Sequence, residues 1–381
     1  MNEKEFLRRC IEIYSPSGQE LEFSKFIESY FKKKDFKVYS DKVGNVIAEK
    51  GSGKPTLLLV SHMDTIPGKL PVIEKDGKIY GRGAVDCKPS LAAMVYSICE
   101  YKFKEQNEGT IIFAGLVREE DSLIGIEQFI RSDIKPDYAI FGEPTKINQI
   151  CIGYKGRLCI GYRVISQTGH VASAWQYVNA IVVCLEIWKM IKGVCWQLTE
   201  LYCPKNEITK YYNKIIPTLT VISGGTLTNC VPSQCDIQID IRFPQIVKSE
   251  ILLNEIRKSV LNFKEVFQKQ CKIEFQILEN ISSLIDGFEA KGDEIIVGAL
   301  RWSIFNTLKM KSKIIKKTGT TFINTIGIHY GIPSITYGPG DPKLEHTDNE
   351  FIELEEYYKS LEIYSKFYSK FFEIYLKSNP Q

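Results

Sequence analysis

The chain has 381 residues, 44% hydrophobic and 25% charged, a length and balance that allow two domains, or one large domain with an insertion, around a real core. Lys plus Arg number 49 against 46 Asp plus Glu, and a net charge of +3 gives no reason to expect nucleic acid or an anionic membrane as partner; a small molecule or a specific protein is expected instead. The start, MNEKEFLRRCIEIYSPSG, is charged where a signal peptide needs an apolar core, and no uncharged stretch reaches the ~18 residues of a membrane span, so a soluble, cytoplasmic protein is expected.

From the N-terminus, helix-period and strand-period segments alternate. EFLRRCIEIY and LEFSKFIESYFKK read as amphipathic helices, KVYSDKVGNVIAEK as a hairpin-like pair, and TLLLVSH as a buried strand. GKIYGRGAVDCKPSLAAMVYSICEYKF is a Gly-rich loop running into a helix that Pro89 can open, since proline is tolerated in a first turn. GTIIFAGLVREED and PDYAIFGEPT are short apolar strands flanking the helical LIGIEQFIRS. This alternation predicts an α/β catalytic domain with a mixed, mostly parallel sheet. Beyond Ile150 the texture changes to long alternating strands, CIGYKGRLCIGYRVIS and PTLTVISGG…CDIQIDIRFP, with the helical NAIVVCLEIWKMIKGV between them and KSEILLNEIRKSVLNF behind. An inserted α+β domain is expected over 151–283, with 1–150 and 284–381 forming the α/β domain. That texture returns in IPSITYGPGD, and the chain closes on the amphipathic FIELEEYYKSLEIYSKFYSKFFEIYL. The eleven cysteines include no Cys-x-x-Cys, and several lie in apolar runs, which favours reduced, buried thiols; a disulfide-rich thermophile is the alternative.

Four strands end in a potential metal ligand or acid/base group: His62 and Asp64 after LLLV, Glu119 and Glu120 after IIFAGLVR, Glu143 after YAIFG, and His346 after ITYGPGDPKLE. Asp86, in GRGAVDCK, is a fifth contributor from a loop. In open α/β sheets ligands bind outside the carboxyl ends of strands, so these groups can converge without being adjacent in sequence. Imidazole and carboxylate suit Zn²⁺, and a ligating histidine commonly hands its other N–H to a carboxylate, the relation His62 and Asp64 have the spacing for. Consecutive glutamates on a strand end point to opposite sides, so one can bind metal while the other moves protons. Each group also has a plain reading: a satisfied strand-end histidine, a solvated acidic turn, a turn cap at Glu143, a helix cap at Asp86. Their joint occurrence at strand ends is what favours the site.

The segments SHMDTIP, GRGAVDCK, VREE, FGEPT, TGHVA, GGTLTNCVPSQCDIQIDIR and GPGDPKLEHTDNEFI occur in the order seen in the two-zinc amidohydrolase and peptidase family, which the chain resembles over nearly its whole length. That family includes acetylornithine deacetylase, succinyl-diaminopimelate desuccinylase and glutamate carboxypeptidases. Within it, FGEPTK…IGYKGR and YGPGDPKLEHTDNEFIELEEY look most like the branch that releases lysine or ornithine from an amino-group carrier protein. The resemblance implies two Zn²⁺ per chain, with Co²⁺ able to substitute. His62, Asp86 and Glu143 would hold one and Glu120 and His346 the other, with Asp86 bridging. It makes Glu119 the general base, Asp64 the partner of His62, and His170 a histidine that enters a neighbouring subunit's site and steadies the oxyanion. It implies a homodimer through the inserted segment, which becomes a lid and dimerisation domain, with GRLCIGYRVIS expected as an edge strand pairing with its symmetry mate. The expected substrate is an N-acyl amino acid, carried on a small acidic protein; Asn229, Arg242 and Lys317 are candidates to grip its carboxylate, or are surface and interface groups. His329 matches no ligand motif and is expected to be structural or exposed.

Two departures bear on substrate: Pro89 stands where relatives have Gly, and KTGTTFIN places Phe322 where relatives carry an Asp. The segment from Trp175 to Pro217 is long and unusually apolar. Rival readings are an acyl amino-acid deacylase, a carboxypeptidase or dipeptidase on the same metals, and a non-catalytic metal-binding scaffold.

Overall fold

The structure is a computed structural model describing residues 1–105, 107–203, 211–267, 270–278 and 284–379. Its elements run α1 (Glu3–Glu12), α2 (Leu21–Lys32), β1 (Lys37–Ser40), β2 (Val46–Ser52), β3 (Thr56–His62), β4 (Ile73–Lys75), β5 (Lys78–Tyr80), α3 (Lys88–Glu100), β6 (Gly109–Leu116), α4 (Ile124–Ile130), β7 (Tyr138–Phe141), β8 (Gln149–Tyr154), β9 (Gly156–Ser166), α5 (Ala180–Tyr202), β10 (Ile216–Gly224), β11 (Gln234–Phe243), α6 (Ser249–Phe267), β12 (Cys271–Ile277), β13 (Leu284–Ile285), β14 (Phe288–Glu289), α7 (Ile295–Leu308), β15 (Lys313–Lys317), α8 (Phe322–Tyr330), β16 (Ser334–Thr336), β17 (Phe351–Glu353) and α9 (Leu354–Ser378). The chain divides into two compact units, one of residues 1–153, 289–316 and 321–381, the other of 154–288 and 317–320. The expected boundary at 283/284 abuts residues that lie outside the described ones.

The first unit is built on a nine-stranded sheet of order β1-β2-β6-β3-β7-β16-β8-β14, with β15 paired to β8. Its centre is parallel: β3 pairs in parallel with β6 and β7, and β16 with β7. Its flanks are antiparallel, β1 with β2, β2 with β6, and β16 with β8. Parallel strands are covered on both faces and read as continuous apolar runs. Accordingly every residue of β6, GTIIFAGL, is buried. The N-terminal helix begins where Asn2 accepts from the Glu5 N–H and Glu5 returns a bond to the Asn2 N–H, a capping box that satisfies two donors the helix cannot. The last helix, α9, buries Tyr357, Tyr364, Phe367, Tyr368, Phe371 and Phe372 along one stripe and packs against α3 and α7. Pro89 sits in the first turn of α3, as its fixed φ favours.

The second unit is a five-stranded antiparallel sheet of order β10-β11-β9-β12, with β13 also on β9, covered by α5 and α6. Its core joins Ile160, Tyr162 and Val164 of β9 to Ile237, Ile239 and Ile241 of β11 and to Val183, Ile187 and Ile191 of α5. β9 is therefore an interior strand. It pairs with β11 from Gly156 to Ile165 and with β12 from Ile160 to Ser166, which corrects the expectation that GRLCIGYRVIS forms an edge. The reason is lateral order: β11 and β12 come later in sequence and close on either side. Within the apolar 175–217 segment, α5 turns its buried face at helical spacing into this core and exposes Val182, Leu185, Trp196 and Leu201 on the other; residues 204–210 of that segment lie outside the described ones. All eleven cysteines are free, ten of them buried, and no helix among the described residues is long and apolar enough to cross a membrane.

Candidate active site

The carboxyl ends of the central strands bring side chains together on the first unit. β3 ends at His62, which is buried, and its Nε2 lies 3.0 Å from Asp86 Oδ1 and 3.4 Å from Glu143 Oε1. Glu143 follows β7 by two residues. On the other side of Asp86, Oδ2 is 3.1 Å from His346 Nε2, which is also 3.1 Å from Glu120 Oε1. Asp86 thus belongs to two groups at once, His62–Asp86–Cys87–Glu143 and Asp86–Glu120–His346, each with its potential ligand atoms within 4.8 Å of one another.

Asp64 organises the floor beneath them. His62 Nδ1 is 2.9 Å from the Asp64 carbonyl and 3.4 Å from its Oδ1. The same carboxylate accepts from the N–H of Glu119 (2.9 Å), the N–H of Glu120 (3.0 Å) and the Ser17 hydroxyl (2.7 Å). One fully buried aspartate therefore fixes both, the histidine chiefly through its backbone carbonyl and the backbone carrying the two glutamates through its carboxylate. Glu119 and Glu120 are not on the strand itself, as their alternation assumed; β6 stops at Leu116 and they occupy the turn beyond it. The turn is made by Arg118 at φ 60°, a left-handed conformation uncommon outside glycine. Arg118 is tied down by Asp121 through Nε (2.8 Å) and Nη2 (2.6 Å), and its N–H by Glu20. His346 has a similar left-handed backbone, φ 62°. One outlier adjoins the cluster and the other belongs to it, and such conformations gather in functional sites.

The loops bearing Asp86 and His346 are locked to each other. Arg82, almost fully buried, donates from Nη1 to Glu350 Oε1 (2.6 Å) and the Thr347 carbonyl (2.9 Å), and from Nε to the Gly68 carbonyl (2.9 Å). The other Glu350 oxygen accepts from the Gly83 N–H at 2.7 Å. Gly83 sits at φ 77°, and a Cβ there would come within 2.7 Å of Thr65 Cγ2, so both conformation and space require glycine.

The charge balance is lopsided. Asp64, Asp86, Glu119, Glu120 and Glu143 crowd around two imidazoles. Burial pushes Glu119 well above the usual carboxylate range, the nearby His62 opposing and Glu143, Glu120 and Asp64 adding to it; burial raises Glu120 as well. His346 is raised to about 11 by its hydrogen bonds to Asp86 and Glu120. For His62, burial works against the charge but is outweighed by Cys87, Asp64 and Asp86, so it too is raised. The cluster thus calls for positive charge that a divalent cation would supply in place of imidazole protons, and its N and O donors, shared at one carboxylate, fit two such ions.

Two participants escaped the sequence reading. Thr321, at the start of α8, donates from Oγ1 to Glu119 Oε1 at 2.8 Å, while Phe322 turns inward, 2% exposed, with its ring 6.4 Å from that of Phe141. The residue next to the unusual phenylalanine therefore steadies Glu119. Cys87 was set aside with the other thiols, although its place beside Asp86 was the available signal. The remaining candidates belong to the second unit. His170 is exposed, and its Nδ1 accepts from the Ala172 N–H (3.1 Å), which makes Nε2 the N–H of the neutral ring. Asn229 is exposed. Arg242 donates to Asp240 (2.7 Å) and Thr320 (3.1 Å), and Asp240 also takes Arg157, so much of Arg242 is used within its unit. Lys317 is partly buried. His329 is exposed in the last turn of α8, edge-on to Tyr330.

Comparison with known proteins places these observations in a lineage. A Sulfurisphaera tokodaii protein named LysW-lysine/LysW-ornithine hydrolase is 31% identical, the match covering 95% of this chain and 93% of that one. A Pyrococcus furiosus protein carrying the same name provisionally is 34% identical over 94% of each chain. Among solved structures, an M20 family metallo-carboxypeptidase from Sulfolobus solfataricus superposes with a TM-score of 0.78 over 98% of this chain and 100% of that one; at 18% identity this shows the shared fold. The model of peptidase family M20/M25/M40 matches residues 58–370, and the chain belongs to that family.

Proposed function

We propose that the protein is a metal-dependent amide hydrolase that releases lysine or ornithine from an N-acylated precursor carried on a small protein. The observation that carries the reading is the pair of ligand groups sharing Asp86, with Glu119 beside them on the Asp64 scaffold. The names of the 31–34% identical relatives support the substrate. His62, Asp86 and Glu143 would hold one metal and Asp86, Glu120 and His346 the other, Zn²⁺ or Co²⁺ being suited to imidazole and carboxylate. Once bound there, the metals would supply Lewis-acid polarisation of the amide carbonyl and a water acidified toward neutrality.

The chain's own residues do the rest. Glu119, with Oε1 fixed by Thr321, takes the proton of the attacking water on its carboxylate and passes it to the leaving amine. Asp64 keeps His62 and the Glu119–Glu120 turn in register throughout. His170, serving a neighbouring subunit's site, would donate from Nε2 to the developing oxyanion, a contribution worth about 3–4 kcal/mol for one such donor. Arg242, Asn229 and Lys317 are assigned to the substrate carboxylate. The eleven free cysteines fit a reducing, cytoplasmic setting. The deciding experiment strips the protein with a chelator, restores Zn²⁺ or Co²⁺, and compares carrier-linked lysine and ornithine with acetyl-ornithine, succinyl-diaminopimelate and dipeptides. Carrier-linked substrates are expected to give the highest kcat/KM. Faster turnover of dipeptides would transfer the protein to the peptidases, and no turnover of anything would make it a scaffold.

We further propose a homodimer formed by the second unit. With β9 interior, the sheet's two edges are β10 and β12; of these β10, which among the described residues bonds only to β11, leaves Val221 and Ile222 exposed. An apolar exposed edge is a template for pairing, and pairing about a two-fold axis covers it in both copies. If His170 serves a neighbouring subunit, His170→Ala and Glu119→Gln proteins, each nearly inactive, should regain part of the lost activity when mixed under conditions of subunit exchange. No recovery despite exchange shown by mass would confine His170 to its own chain.

A further inference from the structure

Cys87 is the one soft donor in the cluster. Its thiol is fully buried, and its Sγ lies with His62, Asp86 and Glu143 in the group whose potential ligand atoms are all within 4.8 Å of one another. It stands at the end of the turn that precedes α3, as the residue just before the helix. On its other side, Cys87 Sγ is 3.0 Å from Ser61 Oγ and 3.4 Å from the His62 carbonyl. The Ser61 hydroxyl is itself 3.0 Å from the Gly142 carbonyl, so it can donate either to that oxygen or to the sulfur. A hydroxyl able to turn its proton toward sulfur is the kind of supporting group that orients and steadies a metal-bound thiolate.

We propose that Cys87 is a sulfur ligand for the metal that His62, Asp86 and Glu143 would hold, making that position thiophilic while the Asp86–Glu120–His346 position stays purely N/O. The inference rests on the metal-dependent reading above and extends it to a division of labour between the two metals. His62 contributes nitrogen, Asp86 and Glu143 oxygen, and Cys87 sulfur, a mixed set that favours Zn²⁺, Co²⁺ and Cd²⁺ over Mn²⁺ or Mg²⁺. The neighbouring position, with one imidazole and two carboxylates, has no such bias. Cys87 would hold the metal as thiolate, its thiol proton passing to solvent, and the Ser61 hydroxyl, within reach of both the sulfur and the Gly142 carbonyl, would donate to it.

The test uses the full chain, emptied with chelator and titrated with Co²⁺, with bound cobalt counted by elemental analysis. Wild type is expected to show a near-ultraviolet sulfur-to-cobalt charge-transfer band that saturates at one of two equivalents. Cys87→Ser should bind cobalt without the band, and Cys10→Ser, which changes a buried thiol elsewhere in the first unit, should retain it. The preference of the first equivalent for Cd²⁺ over Mn²⁺ should fall on the order of tenfold in Cys87→Ser. Circular dichroism checks that the variants are folded, and Cys87→Ala serves if the serine form is not. Two bound cobalts and active enzyme without the band would overturn sulfur ligation and leave the hydrolase reading standing. A band that survives in a folded Cys87→Ser would also overturn it, by assigning the sulfur elsewhere. Absence of bound cobalt altogether would overturn the metal reading itself, and the ligation with it.

Discussion

Asp86→Ala is expected to abolish binding of both metals in one substitution and to reduce turnover by at least ~10⁴-fold, where enzymes as a class accelerate their reactions by ~10⁶-fold or more. The expectation follows from the position of its two oxygens, Oδ1 toward His62 and Oδ2 toward His346. No other side chain belongs to both candidate groups among the described residues. His62→Ala and His346→Ala should each weaken one metal and spare the other, so the three variants form a set. Elemental analysis after dialysis reads the stoichiometry directly: near zero for Asp86→Ala and near one for each histidine variant. Two metals retained by Asp86→Ala would mean that the groups do not share a ligand.

Glu119→Gln should do the opposite, keeping both metals and lowering kcat by about 10²–10⁴-fold, the usual worth of a positioned general base. Glutamine has the same shape, its amide oxygen can still accept from Thr321, and Glu119 lies in neither ligand group. What it loses is the capacity to take a proton. Single-turnover kinetics on reloaded enzyme would place the defect in the chemical step rather than in KM. Metal loss in this variant would show that Glu119 and Glu120 have been assigned in exchange.

The sequence carried the local grammar of this protein well. The apolar run TLLLVSH is β3 and stops at His62, and GTIIFAGL is a strand buried along its whole length, because continuous apolar runs ending in turn residues have few other solutions in an α/β domain. That acidic and histidine groups after the strands could converge was legible for the same reason, since strand ends of a parallel sheet meet ligands on one side, while the division into His62, Asp86, Glu120, Glu143 and His346 came from the family resemblance. Lateral order was not. The alternation of GRLCIGYRVIS is the same for an edge strand and an interior one, and only the later arrival of β11 and β12 on both sides decides it. Nor could a two-residue period reveal that the chain leaves the strand at Leu116 and turns at Arg118 before presenting its glutamates. Thr321 was missed because its significance is a distance to another loop, and distance between segments 202 residues apart is set by the sheet and its crossovers rather than by either segment.

The Arg82–Glu350 pair joins positions separated by 268 residues and carries the His346 loop to the Asp86 loop. A ribosome delivers residues in order, so His62, Asp86, Glu120 and Glu143 exist for most of synthesis while His346 and Glu350 do not. A nascent chain halted before residue 346 holds the whole His62 group and only part of its neighbour. The proposed bimetallic centre is thus a late product of translation, and the polypeptide cannot hydrolyse anything by this route while most of it is being made.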